Sequence, residues 1–154
     1  MTPASEVIAR LRGKTLATAE SLTGGGIGSA LTGVAGASNV YKGGIISYTD
    51  WVKERVLGVP AEYLETFGAV SGPVAEAMAK GARAVLAADV AVSVTGLGGP
   101  GGDAFGHEVG TVFIGYADHI TSFAREYHFE GGRAEVRQQT IKAALELVLE
   151  MNQS

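Results

Sequence analysis

The sequence contains no cysteine. That excludes disulfides, thiolate metal sites, iron–sulfur clusters and a cysteine nucleophile together. No apolar run approaches the ~20 residues of a membrane span, and Met1 to Lys14 is mixed polar rather than a signal-type hydrophobic segment. Positive charge is scarce: 12 Lys+Arg stand against 16 Asp+Glu, a formal charge of -4. This is the wrong sign for a chain whose main task is gripping nucleic acid or an anionic membrane. No Gly-Lys-Ser/Thr follows a glycine cluster, so a Walker-type loop is excluded. His107, His119 and His128 lack zinc spacing, and Asp and Glu form no paired metal pattern. The expectation is chemistry without metal or cofactor, in a reducing, cytoplasmic setting.

Glycine is what the chain has in excess, 23 of 154 residues, against a usual share of about 7%. The clusters Gly24-Gly25-Gly26, Gly43-Gly44, Gly96 to Gly102 and Gly131-Gly132 each adjoin an apolar segment. Such placement suits tight turns and backbone brought close to a ligand. With 46% hydrophobic residues a full core is within reach at this length, and with no linker or internal repeat the expectation is one domain over residues 1–154.

The spacing predicts a capped helix from Thr2-Pro3 to Gly13, a strand at Thr15–Ala19, a helix from Thr23 to about Gly33 and a strand over Asn39–Thr49. Asp50 reads as the N-cap of a helix through Val56, and a short helix covers Ala61–Thr66. An alanine-rich helix opens at Ser71-Gly72-Pro73 and runs through Ala88. A buried strand follows at Val90–Thr95, then an aperiodic loop Gly96–Gly110, a hairpin of Thr111–Ala117 with Ile120–Phe129, and a final helix from Arg133 to about Met151. The order αβαβααβββα implies a three-layer α/β/α sandwich with a mixed, mostly parallel central sheet, because a hairpin is antiparallel.

Three segments carry candidate chemistry. Glu20-Ser21-Leu22-Thr23-Gly24-Gly25-Gly26 takes a strand end into a glycine-rich helix start, where free N–H groups favour anions and Ser21 would stand at the mouth. Taken alone, that serine reads more simply as a cap or turn residue. Tyr48 and Lys53 flank a strand-to-helix junction, and a neutral lysine or a phenolate can activate a serine hydroxyl; the bland alternative is a half-buried Tyr and a surface Lys. Thr95-Gly96-Leu97-Gly98-Gly99-Pro100-Gly101-Gly102 is a second strand end opening into glycine, a backbone nest rather than a dinucleotide fingerprint. Arg133 and Arg137, four apart at a helix start, could face a phosphate or pair with Glu130.

In this order the motifs resemble the CinA C-terminal domain family, whose characterised members are nicotinamide-nucleotide amidases. The resemblance runs from about Val7 to Met151 and rests on Ala19 to Gly25, Tyr48 through Lys53 to Val59, Gly68 to Ser71, and Thr95 to Gly101 followed by Gly110-Thr111-Val112. It implies deamidation of nicotinamide mononucleotide to nicotinate mononucleotide and ammonia, with Ser21, Tyr48 and Lys53 catalytic. Thr23, Gly24, Gly25, Thr95, Gly96, Gly98, Gly99 and Arg137 are the expected substrate contacts. The expected partner is a small nucleotide substrate, with self-association compatible and neither nucleic acid nor membrane involved. Leu22 stands where the family commonly has Cys, Thr49-Asp50 where Ser-Asn is common, and Gly132 where Asp is common. Asp50 puts a negative charge close to Lys53. Many relatives carry a further N-terminal domain, and the expectation here is the stand-alone form.

Overall fold

In the computed structural model, which describes residues 1–153, the chain forms α1 (Pro3–Arg10), β1 (Leu16–Glu20), α2 (Gly26–Thr32), a 3-10 turn (Ala37–Asn39), β2 (Tyr41–Ile46), α3 (Asp50–Arg55), α4 (Ala61–Phe67), α5 (Gly72–Val85), β3 (Val90–Gly96), β4 (Thr111–Ala117), β5 (Ser122–His128) and α6 (Arg133–Met151). The sheet order is β2-β1-β3-β4-β5. β1 pairs in parallel with β2 and β3, while β4 runs antiparallel to both β3 and β5. Four strands therefore point one way and only β4 is reversed, the mixed, mostly parallel sandwich expected. No helix among the described residues is long and apolar enough to cross a membrane.

Period-two alternation assigns the two sheet faces. Leu16, Val90, Val92, Val94, Val112 and Ile114 turn toward α1, α2 and α6 and join the larger apolar cluster. The other face is built from small residues, Ala17, Ala19 and Ala91, and meets Val74, Met78 and Ala82 of α5. Small side chains let that helix lie close to the sheet. A Cβ on Gly115 of β4 would come within 2.2 Å of the Ala75 carbonyl oxygen, and Ser93 Oγ donates to the same oxygen at 2.6 Å.

Several boundaries differ from the pattern-based reading: α1 ends at Arg10 ahead of Gly13, α2 begins at Gly26 rather than Thr23, and β2 spans Tyr41–Ile46 within the expected Asn39–Thr49. Thr49, not Asp50, caps α3: its hydroxyl accepts from the Val52 N–H, and Asp50 occupies the first helical turn. Both residue types cap well, and Thr49 holds the required extended backbone (φ -115, ψ 160). Helix α5 stops at Val85 rather than Ala88, because Ala87 takes a left-handed φ of 50 that ends the helical ladder.

The ends of β1, β2 and β3 that point the same way are the ends where Ser21, Ser47 and Gly96–Gly102 leave the sheet. In open α/β sheets this edge, at the reversal of strand order, is where ligands bind.

Candidate active site

Ser21 follows β1 directly. Its N–H donates to the Val94 carbonyl on β3 at 3.1 Å and its own carbonyl accepts from Gly24 N–H at 3.1 Å, so the backbone at the serine is fixed from both sides. Lys53 reaches it from α3. Lys53 Nζ lies 3.3 Å from Ser21 Oγ and donates to the Ser47 carbonyl at 2.7 Å. The lysine is only 1% exposed and, among the described residues, has no carboxylate within salt-bridge distance. Burial therefore holds its ammonium below the ordinary value of 10.5, with Asp50 pulling the other way. A neutral amine so placed keeps one N–H on Ser47 and aims a lone pair at the serine proton.

Ser47 is a member of the site that the pattern did not reveal. Ile45 and Ser47 turn inward from β2 and its extension, whereas Ile46 and Tyr48 turn outward. Tyr48 is consequently 60% exposed, and its hydroxyl accepts from Arg133 Nη2 at 3.3 Å rather than touching Ser21 or Lys53. The alternation of the strand carries Tyr48 to the rim of the pocket that Ser21 and Lys53 line, without direct contact with either.

The same alternation decides the first glycine cluster. Leu16, Thr18 and Glu20 share one face of β1, the face covered by α2. The Glu20 carboxylate, 2% exposed, accepts from Thr23 Oγ1 (2.6 Å) and Ile27 N–H (2.8 Å) through Oε1 and from Gly28 N–H (3.0 Å) through Oε2. The start of α2 thus already holds an anion supplied by the chain itself. Thr23 is fully buried with its hydroxyl committed to Glu20, Gly24 spends its N–H on Ser21, and Gly25 sits against Ile46. Arg137 also departs from expectation, since Nη2 donates to the Thr23 carbonyl at 3.1 Å and braces this turn. None of these four lines the pocket.

The second glycine segment does line it. A pocket of about 400 Å³ is bounded by Ser21, Lys53, Tyr48, Asp50, Arg133 and the run Thr95–Gly102, a size ordinary for a small-molecule site. Thr95 faces it with its hydroxyl already donated to the Ala69 carbonyl at 2.8 Å. Gly96 is required by the sheet instead, since a Cβ there would meet Thr111 O at 2.8 Å. Gly98 and Gly99 border the cavity, and Arg133 Nη1 donates to the Gly99 carbonyl at 2.8 Å. Among the described residues no three His, Asp or Glu side chains converge as a metal-ligand set.

The family model of the CinA C-terminal domain matches residues 2–152. The chain belongs to that family. The CinA-like protein of Parasynechococcus marenigrum (strain WH8102) is 46% identical over 147 residues, 93% of this chain and 35% of that protein. The putative competence-damage inducible protein of Bacillus subtilis (strain 168) is 41% identical over 140 residues, 91% of this chain and 33% of that one. The chain spans about a third of the length of the curated relatives it matches. Among solved structures, a competence-damaged protein (CinA) superfamily protein from Escherichia coli superposes with a TM-score of 0.94 at 34% identity, covering 97% of this chain and 88% of that one. The competence/damage inducible protein CihA from Agrobacterium tumefaciens gives 0.91 at 38% identity, covering 99% and 98%. In this CinA C-terminal domain the Ser21–Lys53 pair, the open glycine loop and Arg133 meet in one pocket.

Proposed function

We propose that this CinA C-terminal domain is a serine amidase that deamidates nicotinamide mononucleotide to nicotinate mononucleotide and ammonia. The observation that carries the reading is a buried lysine without a carboxylate, 3.3 Å from a serine hydroxyl at the end of a central strand. The substrate comes from the family resemblance, and the pocket volume of about 400 Å³ suits a mononucleotide.

An amide is a poor electrophile with a poor leaving group, so nucleophile, proton carrier and oxyanion donors must converge. Neutral Lys53 takes the Ser21 proton as Oγ bonds to the carboxamide carbon. The developing oxyanion is met by backbone N–H groups; that of Leu22, which lines the pocket, has no protein acceptor. The tetrahedral intermediate collapses with cleavage of the C–N bond, and the Lys53 ammonium returns the proton to departing ammonia. Water then attacks the ester, giving up a proton to Lys53, and releases the carboxylate and Ser21. Lys53 serves as base and acid in turn, and Tyr48 belongs with substrate binding.

Asp50 favours a second reading, in which Lys53 stays protonated and the domain binds a nucleotide without turning it over. Ammonia release from nicotinamide mononucleotide, with no metal added, separates the two. Turnover that falls below ~1% of the parent in Ser21→Ala supports the nucleophile role, general-base assistance alone being worth about 10²–10⁴-fold. Residual turnover well above that level removes Ser21 from it, and tight nucleotide binding without ammonia release leaves the binding module. Equal rates on free nicotinamide would make this a general amidase.

A further inference from the structure

The two edges of the sheet are not alike. At the β2 edge the strand carries Lys42, Gly43 and Gly44, and its pairing with β1 shifts register between Leu16 and Ala17. Lysine, glycine and irregular pairing all discourage the addition of a further strand. The β5 edge has none of these: its seven residues pair with β4 without interruption and include no proline, glycine or lysine. Phe129 N–H donates to the Gly110 carbonyl at 2.9 Å and Asp118 N–H to the Thr121 carbonyl at 3.0 Å. The odd-numbered residues of this strand therefore bond to β4, and the even-numbered ones aim N–H and C=O outward. These are Ser122, Ala124, Glu126 and His128, and among the described residues no backbone group meets them. Beside them lies a groove of about 610 Å³ bordered by Ala124 and by Pro73, Glu76, Ala77 and Lys80 on one side of α5. Ser122 Oγ donates to Glu76 Oε2 at 2.6 Å, and a Cβ on Gly72 would lie 4.0 Å from that of Ala124. Helix α5 thus starts level with Ala124 and runs toward Ser122, leaving Glu126 and His128 exposed.

We propose that β5 is a self-association edge, pairing antiparallel with β5 of a second copy of this chain so that two five-stranded sheets become one. The outward set is symmetric about Arg125, so a two-fold axis through Arg125, normal to the sheet, is the one register that uses all of it. Ala124 then bonds with Glu126 of the partner subunit and Ser122 with His128 of the partner subunit, each pair occurring twice. The side chains suit that register. Phe123 comes opposite Tyr127 of the partner subunit on the α6 side, an aromatic cross-strand pair. On the α5 side His128 of the partner subunit approaches Glu76. One turn further along the helix, Glu130 of the partner subunit approaches Lys80, which has no ion-pair partner among the described residues. The two Arg125 side chains meet at the axis, but each is held by Glu150 through bonds of 3.0 and 2.5 Å, which offsets the like-charge cost of a direct cross-strand pair. Because α5 starts level with Ala124, the two copies of the helix run away from the axis instead of colliding. The proposal rests on no part of the amidase reading.

Sedimentation of the parent across a dilution series should show a monomer–dimer equilibrium. Ala124→Pro deletes an outward N–H and leaves the β4 ladder intact, so it should raise the dimer dissociation constant by about 10–100-fold with an unchanged circular dichroism spectrum. His128→Glu sets a second carboxylate against Glu76 of the partner subunit and should raise that constant about 3–10-fold, and Glu76→Lys added to it should restore the parent value. A chain without cysteine also lets crosslinking read the register. Across the axis the Arg125 Cα atoms form a non-hydrogen-bonded pair about 4.5 Å apart, within disulfide range, whereas Glu126 and its mate are offset along the strands to beyond about 7 Å. Arg125→Cys should therefore give a covalent dimer under mild oxidation, and Glu126→Cys should do so at least about 10-fold more slowly. A parent that sediments as a monomer at every concentration would overturn the proposal, as would a dimer that neither Ala124→Pro nor His128→Glu weakens. Faster crosslinking of Glu126→Cys than of Arg125→Cys would refute the register. Should Ala124→Pro lose the native fold, the cysteine variants and the charge reversal decide the question.

Discussion

The glycine runs after β1 and after β3 are alike in sequence, each a strand end opening into consecutive glycines, yet they do opposite things. After β1 the N–H groups at the start of α2 are consumed by Glu20, a carboxylate carried on the preceding strand and buried with three donors. After β3 the one acid that folds back, Asp103, takes the Phe105 and His107 N–H groups further along the loop, and the N–H groups of Gly98, Gly99, Gly101 and Gly102 have no acceptor among the described residues. One run fixes the backbone at Ser21 and the other lines the pocket. A glycine cluster marks backbone available to an anion, and the neighbouring residues decide whether that anion comes from the chain or from outside. Breaking each run therefore has different consequences.

The largest effect is expected at the closed run. Glu20→Ala orphans the Thr23 hydroxyl and the Ile27 and Gly28 N–H groups in a buried setting, at about 1–3 kcal/mol each before relaxation. A loss of about 3–5 kcal/mol in urea unfolding is expected, together with loss of activity because Ser21 stands on that turn. A loss below about 1 kcal/mol would mean that water replaces the carboxylate and that the run is open after all.

Lys53→Met comes next and reads the proposed Ser21–Lys53 catalytic pair between the runs. Because burial lowers the native lysine pKa below 10.5, the unfolded state binds more protons between the native value and 10.5. Parent stability should therefore rise with pH across that window and fall as pH drops toward the native pKa. Lys53→Met should lack this rise, and the alkaline limb of the pH–rate profile should vanish with a rate loss of about 10²–10⁴-fold. Parallel stability curves for the two proteins would show that the lysine is not held neutral.

Paired glycine substitutions sharpen the contrast at smaller scale. Gly24→Ala places a Cβ 3.5 Å from Arg137 Nη2 at a φ of +56, a left-handed strain of about 1–2 kcal/mol. It should lower the melting temperature and spare the nucleotide KM. Gly98→Ala meets Arg133 Cγ at 3.2 Å with no such φ, so it should raise that KM several-fold (about 3–10-fold) with little change in melting temperature. Reversed outcomes would exchange the roles of the two runs.

Much of this was readable before any coordinates. Apolar periodicity and turn residues place the strands and helices within a few positions, because one face of every strand must be buried. Ser21 and Lys53, each a bland cap or surface residue by local pattern alone, stand out only when the ordered motifs are set beside the CinA C-terminal domain family. What resisted reading was direction. Lys53 is buried on a six-residue helix whose tryptophan, Trp51, is 63% exposed, the reverse of what hydrophobicity alone suggests. Tyr48 is exposed because the alternation of β2 continues past its end, with Ser47 buried and its neighbour turned the other way. Arg133 and Arg137 differ by one helical turn, and only packing shows that the first borders the cavity while the second braces Thr23. Glu20 shares parity with Leu16 and so faces α2, where the N–H groups of Ile27 and Gly28 meet its carboxylate.

The smallest effect belongs to the second acid near the site. Glu20 is buried and satisfied, whereas Asp50 is exposed, lines the pocket and makes no side-chain hydrogen bond among the described residues. Its influence on Lys53 is purely through the field, raising the lysine pKa against the larger effect of burial. Asp50→Asn removes that field, so the native pKa falls further and the alkaline limb should move to lower pH. Across an exposed path such a field is screened within about 8 Å at physiological ionic strength. Added salt should therefore move the limb of the parent in the same direction and leave that of Asp50→Asn nearly still. A limb that moves to higher pH in Asp50→Asn, or that responds equally to salt in both proteins, would place the controlling charge elsewhere, with Arg133 the next group to remove.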